Sequence, residues 1–118
     1  MDAVRHRYRY GRHTVGAAVR GASGRIYTAV NLDATVGRAA VCAEAVALGA
    51  AITAGESAIE AVVAVRHPRP EEHGPIAVVS PCGLCRELLV DHAPGCEVIL
   101  PGRGRVPIAS RLPAPYRR

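Results

Sequence analysis

The chain contains no phenylalanine and no tryptophan, and four tyrosines bring the aromatic content to only 3% of 118 residues. Its core must therefore be built from Val, Ala, Leu and Ile, which suits a compact α/β sandwich. No run approaches the roughly 18–20 apolar residues that a membrane span needs. The opening "MDAVRHRYRYGR" is basic but lacks the apolar segment of a secretory signal, so a cytoplasmic protein is expected. Four cysteines in such a chain argue against a disulfide framework and turn attention to metal binding or redox chemistry.

What is present excludes disorder: 49% of residues are hydrophobic and 21% charged. At this length one domain spanning 1–118 is expected, with residues 1–12 as a basic N-terminal arm. The net charge of +5 is carried mostly by Arg, much of it in "RHRYRYGR" and "PYRR". Arg interleaved with Tyr is one way to contact nucleic acid. Arg-rich tails that solubilise a small protein are the better reading, so neither nucleic acid nor a membrane is expected as a partner.

Along the chain, "TVGAAVRGASGRIYTAVN" reads as a hairpin with strands at about 14–20 and 25–31 around a turn at 21–24. After a loop, residues 42–54 have the Ala-rich composition of a helix, ended by Gly55. That helix is apolar nearly all round, which predicts burial against a sheet. "SAIEAVVAVRH" reads as a central strand, "PRPEEHGP" as a surface loop and "IAVVS" as a short strand. A second helix is predicted over about 82–92, then a strand at "CEVILP" and an edge strand at "VPIAS". The order β-β-α-β-β-α-β fits a mixed sheet flanked by helices.

Both predicted helices begin with cysteine: Cys42 opens the first, while Cys82 and Cys85 occupy the first turn of the second. Spaced i, i+3, the latter two sulfurs share a helix face. Unpaired N–H groups and the positive end of the dipole favour thiolate there. Three thiolates from two helix starts suit zinc, and three ligands rather than four leave a position for water, which zinc makes nucleophilic near neutral pH. Cys96 lies past the far end of the second helix, roughly 15 Å away at 1.5 Å per residue, and reads as a core residue. Glu44 does not project with Cys42 and is read as a proton carrier beside the water. A glutamate that merely favours the helix dipole is the simpler alternative. A lone C-x-x-C is equally a redox pair, but that reading leaves Cys42 and Glu44 without a role.

"CAE" opening one helix and "SPCGLCREL" opening another resemble the zinc-dependent cytidine deaminases, and within them the blasticidin-S deaminase-like group. The similarity extends over about 15–116 and includes the hairpin, "CAEAVALGAA" and the C-terminal "RLPAPY". It implies a three-layer α/β/α sandwich with a mixed sheet of about five strands. It also implies one zinc ion on Cys42, Cys82 and Cys85, with Glu44 as general acid and base. The backbone around Ala43, Ser80 and Cys82 would grip the base. Asn31 and Asp33 would hold sugar hydroxyls, although an Asx turn at the strand end is the bland reading of that pair. Transfer-RNA and polynucleotide deaminases typically place His where Cys42 stands; cysteine resembles the enzymes of free nucleosides. Members of this length are homotetramers, which would make Tyr116 a lid over a neighbouring copy's pocket.

The chain departs from the family in four places. Asp33 is one methylene shorter than the usual Glu. Ala45 stands where an Arg often offsets thiolate charge, leaving Arg86 as the candidate for that task, or as an ordinary solvated arginine. His13 aligns with a base-stacking Phe and is polar and titratable, which leaves the substrate open. The N-terminal helix is shortened to about a dozen basic residues. The expected activity is attack of zinc-bound hydroxide on a cytosine-type free nucleoside or nucleoside antibiotic, with ammonia released. The alternatives are a non-catalytic zinc-stabilised nucleoside-binding scaffold and a zinc deaminase of a different heterocycle.

Overall fold

A computed structural model describes residues 14–68, 72 and 74–116. His13 and the expected basic arm lie outside the described residues. Strands β1 (Val15–Gly21) and β2 (Ile26–Val30) form the predicted hairpin. Helix α1 (Ala43–Thr53) follows, then β3 (Ile59–Arg66), β4 (Ala77–Val79), helix α2 (Gly83–His92), β5 (Glu97–Leu100) and β6 (Gly104–Pro107). Short 3₁₀ turns lie at Gly37–Ala39 and Ile108–Arg111.

The sheet has six strands rather than about five, in the order β2-β1-β3-β5-β6, with β4 also paired to β3. It is mixed: β3 and β5 run parallel and every other pair is antiparallel. One edge of β3 is taken along its length by β1. On the other, β5 pairs near Ala61 and Val62, and β4 pairs from Ala64 to Arg66. The last strand begins and ends earlier than "VPIAS" suggests, and it ends at Pro107 because the chain turns at Ile108 and buries that side chain completely.

Both helices and the sheet share one continuous core. Val19, Val62 and Val98 meet Ala47, Leu48 and Ala51 of α1 and Leu89 of α2. Small residues on α1 let it approach the strands closely, which is how a core lacking large aromatics fills its volume. Helix α1 packs against the sheet as expected, but by one face only, although its sequence is apolar nearly all round. Ala43, Glu44, Ala47, Leu48 and Ala51 form one buried stripe, while Ile52 is 46% exposed on another side. Helical spacing places those five on a single face, and only that face meets the sheet. No helix among the described residues is long and apolar enough to cross a membrane.

The end of α1 is tied to the hairpin by an interaction with no evident mark in the sequence. The N–H of Glu56 bonds Ala51 O and that of Gly55 bonds Ile52 O, with Gly55 at φ 91°. This is a Schellman ending, in which a left-handed glycine satisfies the last carbonyls. It aims the Glu56 carboxylate back over the turn, where it accepts from Ser23 N at 3.0 Å, Ser23 Oγ at 2.5 Å and Tyr27 Oη at 2.6 Å. Gly21 lies directly beneath, and any Cβ there would overlap the carboxylate. The Ser23 and Tyr27 bonds hold the Glu56 carboxyl below its ordinary range. A depressed folded-state pKa contributes stability above the unfolded-state value of about 4.3, lost as pH falls through the folded-state value. Glu56→Gln should therefore lower Tm at pH 7, and the gap from wild type should shrink toward pH 3. An equal gap at both pH values would show that the charge is irrelevant.

Candidate metal centre and active site

Cys42 and Cys82 are the N-cap residues of α1 and α2, each with extended backbone, and Cys85 sits in the first turn of α2. The three sulfurs lie within 4.8 Å of one another, with Cys42 Sγ and Cys82 Sγ 3.5 Å apart. Among the described residues this is the only such gathering of Cys, His, Asp or Glu ligand atoms. Cys96 is not in it: it is buried in the core, and burial pushes its thiol up to about 11.

The electrostatics of the trio fit a bound dication. Burial pushes the Cys85 thiol far up, and the Glu44 carboxylate and the other thiols add to it. Cys42 is raised by burial and by its bond to Cys82. Cys82 alone moves down: burial opposes ionisation, but the Cys85 N–H, the neighbouring thiols and the Leu84 N–H at the helix start outweigh it. Three sulfurs this close cannot all be thiolates without a compensating cation. Soft sulfur donors select zinc, and three protein donors match a site with one position left open.

Glu44 lies on the buried stripe of α1 and is only 5% exposed. It does not join the sulfur cluster, although its charge is felt at Cys42 and Cys85. Burial raises its carboxyl, partly opposed by the Glu44 backbone N–H.

A cavity of about 270 Å³ opens beside the cluster. Its walls bring together Cys42, Cys82, Glu44, Asn31, Asp33 and Ser80, and Ala43 is also part of the lining. Asn31 is fixed by reciprocal bonds with Val15, its N–H reaching Val15 O and its Oδ1 accepting from Val15 N, both at 3.1 Å. Asp33 Oδ1 accepts from Ala34 N at 2.8 Å, a contact with the next residue rather than the bond two residues on that defines an Asx turn. Sequence reasoning missed the Leu32–Val41 bridge, whose two 2.8 Å bonds clamp the Asn31–Asp33 turn against the start of α1. Apolar residues at both ends of "LDATVGRAAV" are the only signal that could have suggested it.

Two sequence candidates sit elsewhere. Tyr116 is 83% exposed and does not line the cavity of its own chain. Arg86 directs its guanidinium at backbone carbonyls, with Nε 2.9 Å from Pro81 O and Nη1 3.2 Å from Arg111 O. Elemental analysis should find one zinc per chain, lost on replacing Cys42, Cys82 or Cys85 by Ala and retained in Cys96→Ala. Full zinc in all three cluster variants would rule out the assignment.

Comparison with known proteins bears on the same residues. A family model described as the cytidine and deoxycytidylate deaminase zinc-binding region matches residues 1–99. The chain is 44% identical over 115 residues to blasticidin-S deaminase of Bacillus cereus, covering 94% of this chain and 82% of that protein. It is 32% identical over 91 residues to a cytidine deaminase of Mycobacterium tuberculosis, covering 77% of this chain and 62% of the relative. The crystal structure of cytidine deaminase from Mycobacterium leprae superposes with a TM-score of 0.74 at 29% identity, over 95% of this chain and 92% of that one. A three-layer sandwich is consistent with that fold and with the mixed six-stranded sheet and two helices seen here. The chain thus belongs to the zinc-binding cytidine and deoxycytidylate deaminase family.

Proposed function

We propose that the protein is a zinc-dependent hydrolytic deaminase of a cytosine-type free nucleoside or nucleoside antibiotic. The observation that carries this reading is one cavity shared by two zinc-type thiols, a buried carboxylate and a polar strand-end pair. The names of its relatives, a blasticidin-S deaminase and cytidine deaminases, support the substrate class.

Deamination exchanges an exocyclic amine for oxygen: one water is consumed, a C–N bond breaks, a C=O bond forms and ammonia leaves, with no redox change. Zinc held by Cys42, Cys82 and Cys85 supplies Lewis-acid activation of water near neutral pH. Both protons of the water must travel, one to the ring nitrogen and one to the departing amine. Glu44 is the group assigned to carry them at its carboxylate oxygens, since it is buried beside the thiols and is not in their cluster. The backbone at Ala43, Ser80 and Cys82 faces the base edge, while Asn31 and Asp33 hold the sugar. His13 is assigned to the base ring from the family pattern.

The finer assignments follow the same reading. A single domain in the cytoplasm suits a site that depends on reduced thiols. A homotetramer would give exposed Tyr116, and the exposed side chains of Val36 and Leu84, a neighbouring copy to contact.

Glu44→Gln should keep zinc and fold while losing about 10²–10⁴-fold or more in turnover. Ammonia release close to wild type would remove Glu44 from the mechanism. Zinc and nucleoside binding by the wild type, with no ammonia released from any cytosine-type compound, would instead identify a scaffold. Asp33→Ala should impair nucleosides far more than free cytosine, because a site built for hydroxyls discriminates through them. Equal effects on both substrates would exclude the sugar contact.

A further inference from the structure

We infer that Arg86 is a positioning residue: it fixes the peptide joining Pro81 and Cys82, and so the direction of the Cys82 thiol, and couples that peptide to the C-terminal segment. The inference rests on the zinc site proposed above. Its first support is that the guanidinium takes the Pro81 carbonyl just ahead of the one that the regular helical bond takes. The backbone N–H of Arg86 bonds Cys82 O at 2.9 Å, and its Nε bonds Pro81 O at 2.9 Å. A peptide unit is planar, so fixing the carbonyls on both sides of a residue leaves little freedom to its Cα–Cβ direction.

Cys82 is held by N–H groups of the helix start and by the Cys42 sulfur 3.5 Å away, and little by packing. It is an exposed N-cap residue, whereas Cys85 is held by burial in the core. Its thiol direction therefore depends on backbone more than on packing.

The second support is the far end of the guanidinium. Nη1 reaches Arg111 O, 25 residues away, at the end of the 3₁₀ turn Ile108–Arg111. That turn is anchored by fully buried Ile108, whose N–H bonds Cys96 O at 3.0 Å. The thiol-bearing loop is thus braced against a segment pinned in the core. A planar guanidinium presents donors in fixed, divergent directions, which the single ammonium of lysine does not reproduce. Charge offset alone would be served by either side chain.

Arg86→Lys and Arg86→Gln separate these roles without using turnover. Zinc affinity is measured by chelator competition, and the cobalt-substituted absorption spectrum reports the ligand arrangement, both below the melting temperature of each variant. Both variants should lose about 10–100-fold in zinc affinity, the usual effect of removing support behind metal ligands, and both should show a shifted cobalt spectrum. Wild-type affinity in Arg86→Lys would overturn the inference in favour of charge, and wild-type affinity in both would make Arg86 an ordinary solvated arginine. In the unaltered protein, zinc loading should also slow amide exchange across residues 108–111, and unchanged exchange there would contradict the coupling even if neither variant folds. A protein that binds zinc but deaminates nothing overturns the deaminase reading and not this one.

Discussion

The crowding of three cysteine sulfurs beside a buried carboxylate is the constraint on which the rest of the molecule depends. Each group favours ionisation only if its neighbours stay neutral, and burial raises Cys42, Cys85 and Glu44 together. Left to itself such a cluster would be a liability in a small core. A dication changes the balance, because it stabilises thiolates that otherwise repel. Helix starts add N–H groups to the same end, as the lowered Cys82 thiol shows.

The fold brings the cluster together by dividing one edge of β3. Where β5 leaves that edge, β4 takes it over, and the chain leaves β4 directly into Ser80, Pro81 and Cys82. On the other side, β1 begins at Val15 beside the end of β2 at Val30, and the Leu32–Val41 bridge brings the chain that follows Asn31 back to Cys42. Both helices therefore start at one margin of the sheet, and the cavity lies between them and the strand ends. Far from this margin, the Glu56 carboxylate locks the other end of α1 to the hairpin turn, so the helix is fixed at both termini.

Much of this was legible because the chemistry was concentrated in short motifs. Ala-rich composition ended by Gly55 marked the first helix, cysteines stood at the starts of both helices, and β-branched runs between turn residues located the strands. Hydrophobic composition misled about α1: Ile52 and Ala50 look like core residues, yet only one face of the helix meets the sheet. Composition does not record how many sides of a helix have a neighbour. The Leu32–Val41 bridge and the Glu56 contacts join residues distant in sequence through backbone geometry or one carboxylate, and neither leaves a periodic trace. Arg86 was legible as a residue of interest, but its carbonyl partners were not, since Arg111 becomes its neighbour only through the fold.

An open coordination position separates a catalytic site from a closed structural one, and the exclusion of Cys96 is what keeps it open. Zinc K-edge absorption on the protein as purified tests this most directly, by counting sulfur neighbours without a substrate. Three sulfurs and one lighter atom are expected. Four sulfurs would mean that Cys96 or another chain's cysteine closes the site, contradicting a hydrolytic centre.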